Sequence, residues 1–189
     1  MKKVLVIGSG GAGKSTFSRR LGEILGVEVV HLDALYWRPG WVETPKPEWR
    51  RRVEELVRRD SWIIDGNYSG TFDIRFEACD TVIFLDVPRL ICLWRVLKRR
   101  ALYRKGGRPD MAQGCDEKLD LEFLKFLRWV WDYPTRTRSK VLKLMRENSP
   151  GEDIFLLRTQ ADIEGFLKRV RCKAARSPAD APSWGTPRL

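Results

Sequence analysis

Residues 8–15 read Gly-Ser-Gly-Gly-Ala-Gly-Lys-Ser, a match to G-x-x-x-x-G-K-[ST]. No other stretch restricts the fold so tightly. Before it, residues 3–7 form the apolar run Lys-Val-Leu-Val-Ile, and after it Phe17, Leu21, Ile24 and Leu25 recur at helical spacing. A strand, a glycine loop and a helix in that order predict a phosphate-binding loop. Glycines let successive backbone amides turn inward without a Cβ clash. The helix that follows adds the positive end of its dipole. Gly8, Ser9, Gly10, Gly11, Ala12, Gly13 and Thr16 are therefore expected to surround a phosphate chain. Lys14 is expected to reach the β- and γ-phosphates, and Ser15 to offer its hydroxyl to Mg²⁺.

The remaining chain alternates strand and helix patterns. Strands are expected at residues 27–32, 61–65, 81–85 and 154–157. Helices are expected from near Pro47, from Pro88, from about Glu117 and from about Thr135, and after residues 159–162, which read as a capping box. In the helix after Pro88 the spacing assigns Leu90, Trp94, Leu97 and Ala101 to the core. Residues 34–45 carry Pro39-Gly40 and Thr44-Pro45 and read as a loop. Such alternation predicts a parallel sheet covered on both faces. Ligands of such sheets bind outside the carboxyl ends of the strands. Gly8, Asp33, Asp65 and Asp86 stand at four of those ends, so they are read as one site.

With 189 residues, one domain is expected over 1–172, with a lid at about 103–116 and a disordered tail at 173–189. The net charge of +11 suits anionic partners, among them nucleotides and nucleic acid. Four cysteines without a C-x-x-C pair, and no secretory pattern, point to a reduced cytoplasmic protein. No apolar run approaches the roughly 20 residues of a membrane span. One histidine and scattered cysteines do not make a zinc site.

Asp65 is favoured over Asp86 as the metal carboxylate, because Gly66 lets the backbone pass close to phosphates. Asp86 has a second reading as a cap before Pro88. Asp33 is read as orienting an acceptor hydroxyl or taking its proton, and otherwise as a local turn former. His31 reads as a partnered core residue. Arg89, Arg95, Lys98, Arg99, Arg100, Arg104, Lys105 and Arg108 follow one another without an intervening acid. Arg95 and Arg99 share a helix face, and Arg136 and Arg138 lie further on. Two or three such guanidinium groups are expected on phosphate. Tyr36, Trp37 and Trp41 offer flat surface beside Asp33. Gly66, Asn67 and Arg75 are expected near the acceptor, Arg75 as a planar fork for an anion.

The motifs Gly-Ser-Gly-Gly-Ala-Gly-Lys-Ser-Thr, His-Leu-Asp-Ala-Leu-Tyr-Trp-Arg-Pro-Gly-Trp and Trp-Ile-Ile-Asp-Gly-Asn-Tyr resemble those of bacterial DNA topology modulation proteins. So do Asp-Thr-Val-Ile-Phe-Leu-Asp-Val-Pro-Arg and Leu-Trp-Arg-Val-Leu-Lys-Arg-Arg, and the resemblance covers about residues 1–170. These proteins are similar to adenylate kinases. The resemblance implies a three-layer α/β/α P-loop kinase fold with strand order 2-3-1-4-5 and a helical lid. It implies ATP and Mg²⁺, with Asp65 serving the metal, Arg95 against the adenine, Arg99 at the ATP phosphates, and Arg136 and Arg138 as arginines that follow the lid. Residues 158–161 would lie near the adenine. The chain departs from adenylate kinases at Tyr36 and at residues 67–69, where the arginines that clamp the AMP phosphate are missing. The expected function is phosphoryl transfer from ATP to a small nucleotide or metabolite. The alternative is an ATP-dependent nucleic-acid-binding protein, for which no recognition motif is visible.

Overall fold

The computed structural model describes residues 1–102, 120–148 and 153–175. β1 (Lys3–Gly8) is the central strand, flanked by β5 (Trp62–Asp65) and β6 (Thr81–Leu85). β2 (Val29–His31) and β7 (Asp153–Leu157) are the edges, and all pairings are parallel. Counting only these five strands in chain order, the sheet runs 2-3-1-4-5. Strands covered on both faces need apolar side chains on both, which is why β1 reads as a continuous apolar run. Leu5 and Ile7 enter one core with Trp62, Phe76 and Phe84, while Val4 and Val6 enter the other with Phe17, Leu21 and Phe166.

On the second face lie α1 (Lys14–Leu25) and α8 (Gln160–Ala174), which pack together. The capping box of α8 forms as expected: Asp162 N–H donates to Thr159 Oγ1 at 3.1 Å, and Thr159 N–H to Asp162 Oδ2 at 2.8 Å. The helix continues through Ala174, beyond the expected boundary at 172. α3 (Lys46–Val57), α4 (Phe72–Ala78) and α7 (Arg138–Asn148) cover the first face. α4 is too short to announce itself by spacing. It buries Phe72, Arg75 and Phe76. α5 (Arg89–Leu102) and α6 (Leu121–Arg136) pack against each other. The expected lid and most of the expected tail lie outside the described residues.

Two expectations are corrected. Residues 34–45 are not plain loop: α2 (Leu32–Tyr36) leads into a hairpin of β3 (Trp37–Arg38) and β4 (Val42–Glu43). The turn uses Gly40 and Trp41 at φ 79° and 62°. In α5, Leu90, Trp94, Leu97 and Ala101 face outward, and Cys92 and Val96 are buried instead. The reason is the glycine loop beneath the helix. A Cβ on Gly11 would stand 2.3 Å from Cys92 O and 3.0 Å from Val96 Cγ2. So close an approach accepts only the helix face with smaller side chains.

Candidate functional site

β1 delivers Gly8 to the carboxyl edge of the sheet, and the chain turns there through Gly8, Gly11 and Gly13 at φ 151°, 78° and 95°. Side chains would fail in this loop for space as well as conformation. A Cβ on Gly10 would lie 2.6 Å from the Phe126 ring, and one on Gly8 2.6 Å from Leu85 O. The cradle is therefore one of backbone atoms, suited to a phosphate chain. Lys14 Nζ donates to Gly8 O and Ser9 O, each at 3.1 Å, so the ammonium lies over the loop. Ser15 is half-buried in the first turn of α1.

The loop after β5 forms the facing wall. Asp65 is 3% exposed, and its Oδ2 lies 2.7 Å from His31 Nδ1, a residue in register with it across the sheet. His31 is thus a partnered residue, as the sequence indicates. Gly66 takes φ 135°, and a Cβ there would stand 2.9 Å from Leu32 Cβ. Asn67 bonds to both backbone groups of Gly8: Nδ2 donates to Gly8 O at 2.8 Å, and Gly8 N–H donates to Oδ1 at 3.2 Å. Tyr68, at φ 28°, donates its hydroxyl to Asp33 Oδ1 at 2.7 Å. Burial and the Asp33 charge push the phenol well above its ordinary pKa, so its proton stays in place.

Arg75 is corrected. It has no exposed surface, and its guanidinium donates to Gly66 O (2.8 Å), Asn67 O (2.6 Å), Tyr68 O (2.8 Å) and Thr71 O (3.3 Å). The Phe72 ring lies 4.7 Å from its central carbon. Burial pulls its pKa down to about 9. The fork expected for an acceptor anion instead pins the carbonyls of the loop that carries Asn67 and Tyr68.

Tyr36 sits in an aromatic cluster, with ring centroids 4.6 Å from Tyr68 and 5.1 Å from both Trp37 and Trp49. Trp41 lies edge-on to Trp37 at 5.3 Å and is 38% exposed. Trp49 and Tyr68 pack against Tyr36, and Trp37 and Trp41 extend outward from the cluster.

Arg95 joins the glycine loop to the first residue of α8. Its Nη1 donates to Ala12 O at 3.1 Å, and its Nη2 to Gln160 Oε1 at 3.4 Å. Arg99 lies one turn further along α5, half-buried. Arg136 and Arg138 part company. Arg136 is 74% exposed, with its Nε 3.7 Å from Asp132. Arg138 forms a fork on Asp86, at 2.7 and 2.8 Å, and Arg158 adds a third contact at 3.2 Å. The Asp86 hydrogen bond holds the Arg138 guanidinium above its ordinary pKa. Asp86 is thus an anchor for two arginines rather than a helix cap. The sequence reading missed the contacts of Tyr68 with Asp33 and of Arg158 with Asp86; it placed Arg158 near the adenine through the resemblance alone. A tyrosine two residues after Gly66 in a loop was the one signal for the first, and nothing local marks the second.

The chain has the α/β fold of P-loop kinases. Similar solved structures include a sugar kinase from Janibacter (TM-score 0.52, 19% identity, over 95% of this chain and 97% of that one). Shikimate kinase from Acinetobacter baumannii, solved with shikimate, matches at TM-score 0.53 and 18% identity over 90% of each chain. A gluconokinase from Sinorhizobium meliloti matches at 0.50 and 14%, over 93% of this chain and 92% of that one. No family model matches the sequence, and no curated protein does. The resemblance to DNA topology modulation proteins therefore rests on the motifs alone. Among the described residues no helix is long and apolar enough to cross a membrane.

Proposed function

We propose that the protein is an ATP-dependent phosphotransferase that acts on a hydroxyl of a small nucleotide or metabolite. One observation carries the reading. A glycine cradle and a carboxylate, Asp33, are joined by a single loop that bonds to both, through Asn67 and Tyr68. A Cβ at Gly10 would meet the Phe126 ring and one at Gly11 the Cys92 carbonyl, so the loop stays bare backbone, which suits a phosphate chain. Lys14 would neutralise phosphate charge, and Arg95 and Arg99 would lie toward the base and phosphates. For Mg²⁺, the Ser15 hydroxyl and the Asp65 carboxylate are a fitting pair, because that ion keeps several waters and takes one or two protein ligands. Bound there, it would neutralise charge on the phosphates. Asp33 would orient the acceptor hydroxyl and accept its proton, while Tyr68 holds one carboxylate oxygen.

The test is acceptor-dependent ADP formation by the whole chain without DNA. Lys14→Ala should keep the fold and lose turnover by about a hundredfold or more, the loss expected when a main charge-stabilising donor is removed. Wild-type turnover in that variant would reject the assignment. The nucleic-acid reading has the net charge of +11 in its favour. It requires DNA affinity that falls steeply with salt as counterions are released.

A further inference from the structure

The charges around Asp33 point to the class of acceptor, given the phosphotransferase reading above. Asp33 is half-buried and gives Oδ1 to Tyr68, which leaves Oδ2 to accept from a hydroxyl. A second carboxylate, Glu43, stands beside the Tyr36 hydroxyl. With burial as the larger cause, it raises that phenol above its ordinary pKa. Among the described residues, the arginines on this wall are engaged. Arg38 Nη2 and Arg52 Nη2 share the two oxygens of Glu48, at 2.6 and 2.7 Å. Arg52 Nη1 also donates to Leu35 O, on the helix that carries Asp33. Arg75 is sealed inside the loop. Trp37 and Trp41 extend the wall as flat apolar surface.

A phosphate or carboxylate on the acceptor would meet two carboxylates here. To gain a partner it would have to break the Glu48 pairs. Like charges brought together across an interface act against the wrong partner, which is enough to separate substrates. A neutral ring with several hydroxyls meets no such penalty. One hydroxyl can donate to Asp33, and a ring face can lie on an indole. We propose that the acceptor is an uncharged polyhydroxylated ring compound, a nucleoside or a sugar, rather than its phosphorylated or carboxylated counterpart. The acceptor oxygen forms a bond to the γ-phosphorus. The bond from that phosphorus to the β,γ-bridging oxygen breaks, and ADP leaves with its electron pair. The hydroxyl proton passes to Asp33 and then to solvent.

The experiment measures ADP release by the full chain with ATP, Mg²⁺ and matched acceptors. Adenosine and guanosine are compared with their 5′-monophosphates, and glucose and ribose with their phosphates and with glucuronate. The neutral member of at least one pair should be preferred in kcat/KM by about tenfold or more, a difference of about 1.4 kcal/mol. The nucleoside and sugar arms tell the two sources apart. Preference for a charged member, or no stimulation by any neutral one, overturns the proposal. Glu48→Gln removes the carboxylate that Arg38 and Arg52 share, and should lower KM for the charged member while leaving the neutral one unchanged. An unaltered preference in that variant also overturns it. Failure of the underlying reading looks different: ATP would then bind equally well to wild type and Lys14→Ala by calorimetry, whatever acceptor is added.

Discussion

Asn67 is hydrogen-bonded to Gly8 through both ends of its carboxamide, 59 residues apart in sequence. The bonds tie the first residue of the glycine cradle to the loop that carries Tyr68 and so to Asp33. Asn67→Ala leaves a peptide N–H and a C=O without these partners, which costs about 1–3 kcal/mol. ATP affinity should fall several-fold with it. Asn67→Asp should be worse for ATP than Asn67→Ala, because the new carboxylate faces both Gly8 O and the phosphates. Urea denaturation and calorimetry on the two variants check this, and equal ATP affinity in both would contradict it.

Arg75→Ala should act on stability before kinetics. It exposes the four carbonyls the guanidinium satisfies and leaves a cavity, a loss of about 3 kcal/mol or more. Arg75→Lys keeps the charge but cannot match the planar fork, and should recover only part of that loss. Chemical denaturation measures both. A fully stable Arg75→Ala with a raised acceptor KM would restore the anion-binding role.

Asp65 and Asp86 should separate in mutation. Asp65→Asn should lower kcat on the order of a hundredfold with little change in ATP affinity, because charge stabilisation matters most as the γ-phosphoryl moves. Asp86→Asn should instead release Arg138 and Arg158 and lower the denaturation midpoint, with kcat less affected. Steady-state kinetics and melting of both variants decide the point. A silent Asp65→Asn beside an inactive Asp86→Asn reverses the assignment.

Acid should weaken the protein through Asp80, at the end of the sheet away from the cradle. Burial raises its pKa, but the Thr81 hydroxyl and the Lys3 and Lys2 amides outweigh that and hold it below 3.8. A depressed carboxylate contributes stability above its unfolded value, and that contribution is lost as pH falls through the folded value. Wild type should therefore lose its advantage over Asp80→Asn as pH drops below 3.8. Denaturation midpoints of the two proteins across that range test it, and a constant gap rejects it.

Local sequence specified the glycine loop, the five main strands and the Thr159–Asp162 cap. Each is written in local spacing or in glycines that no side chain could replace. The carboxyl-edge positions of Asp33 and Asp65 were legible for the same reason, since each ends an apolar run. The partners of those groups were decided by tertiary structure. Arg75 reads as an exposed fork in sequence, but α4 turns it inward, where the loop carbonyls 66–68 converge on it. Leu90, Trp94 and Leu97 make the more apolar stripe of α5, yet Cys92 and Val96 face inward because the glycine loop approaches too closely for larger residues. Asp86 ends a strand as clearly as Asp65 does, but only the folded chain brings Arg138 and Arg158 onto it. Spacing records what a segment prefers alone. Distance between segments, and the carbonyls and charges that meet there, decides which preference is kept.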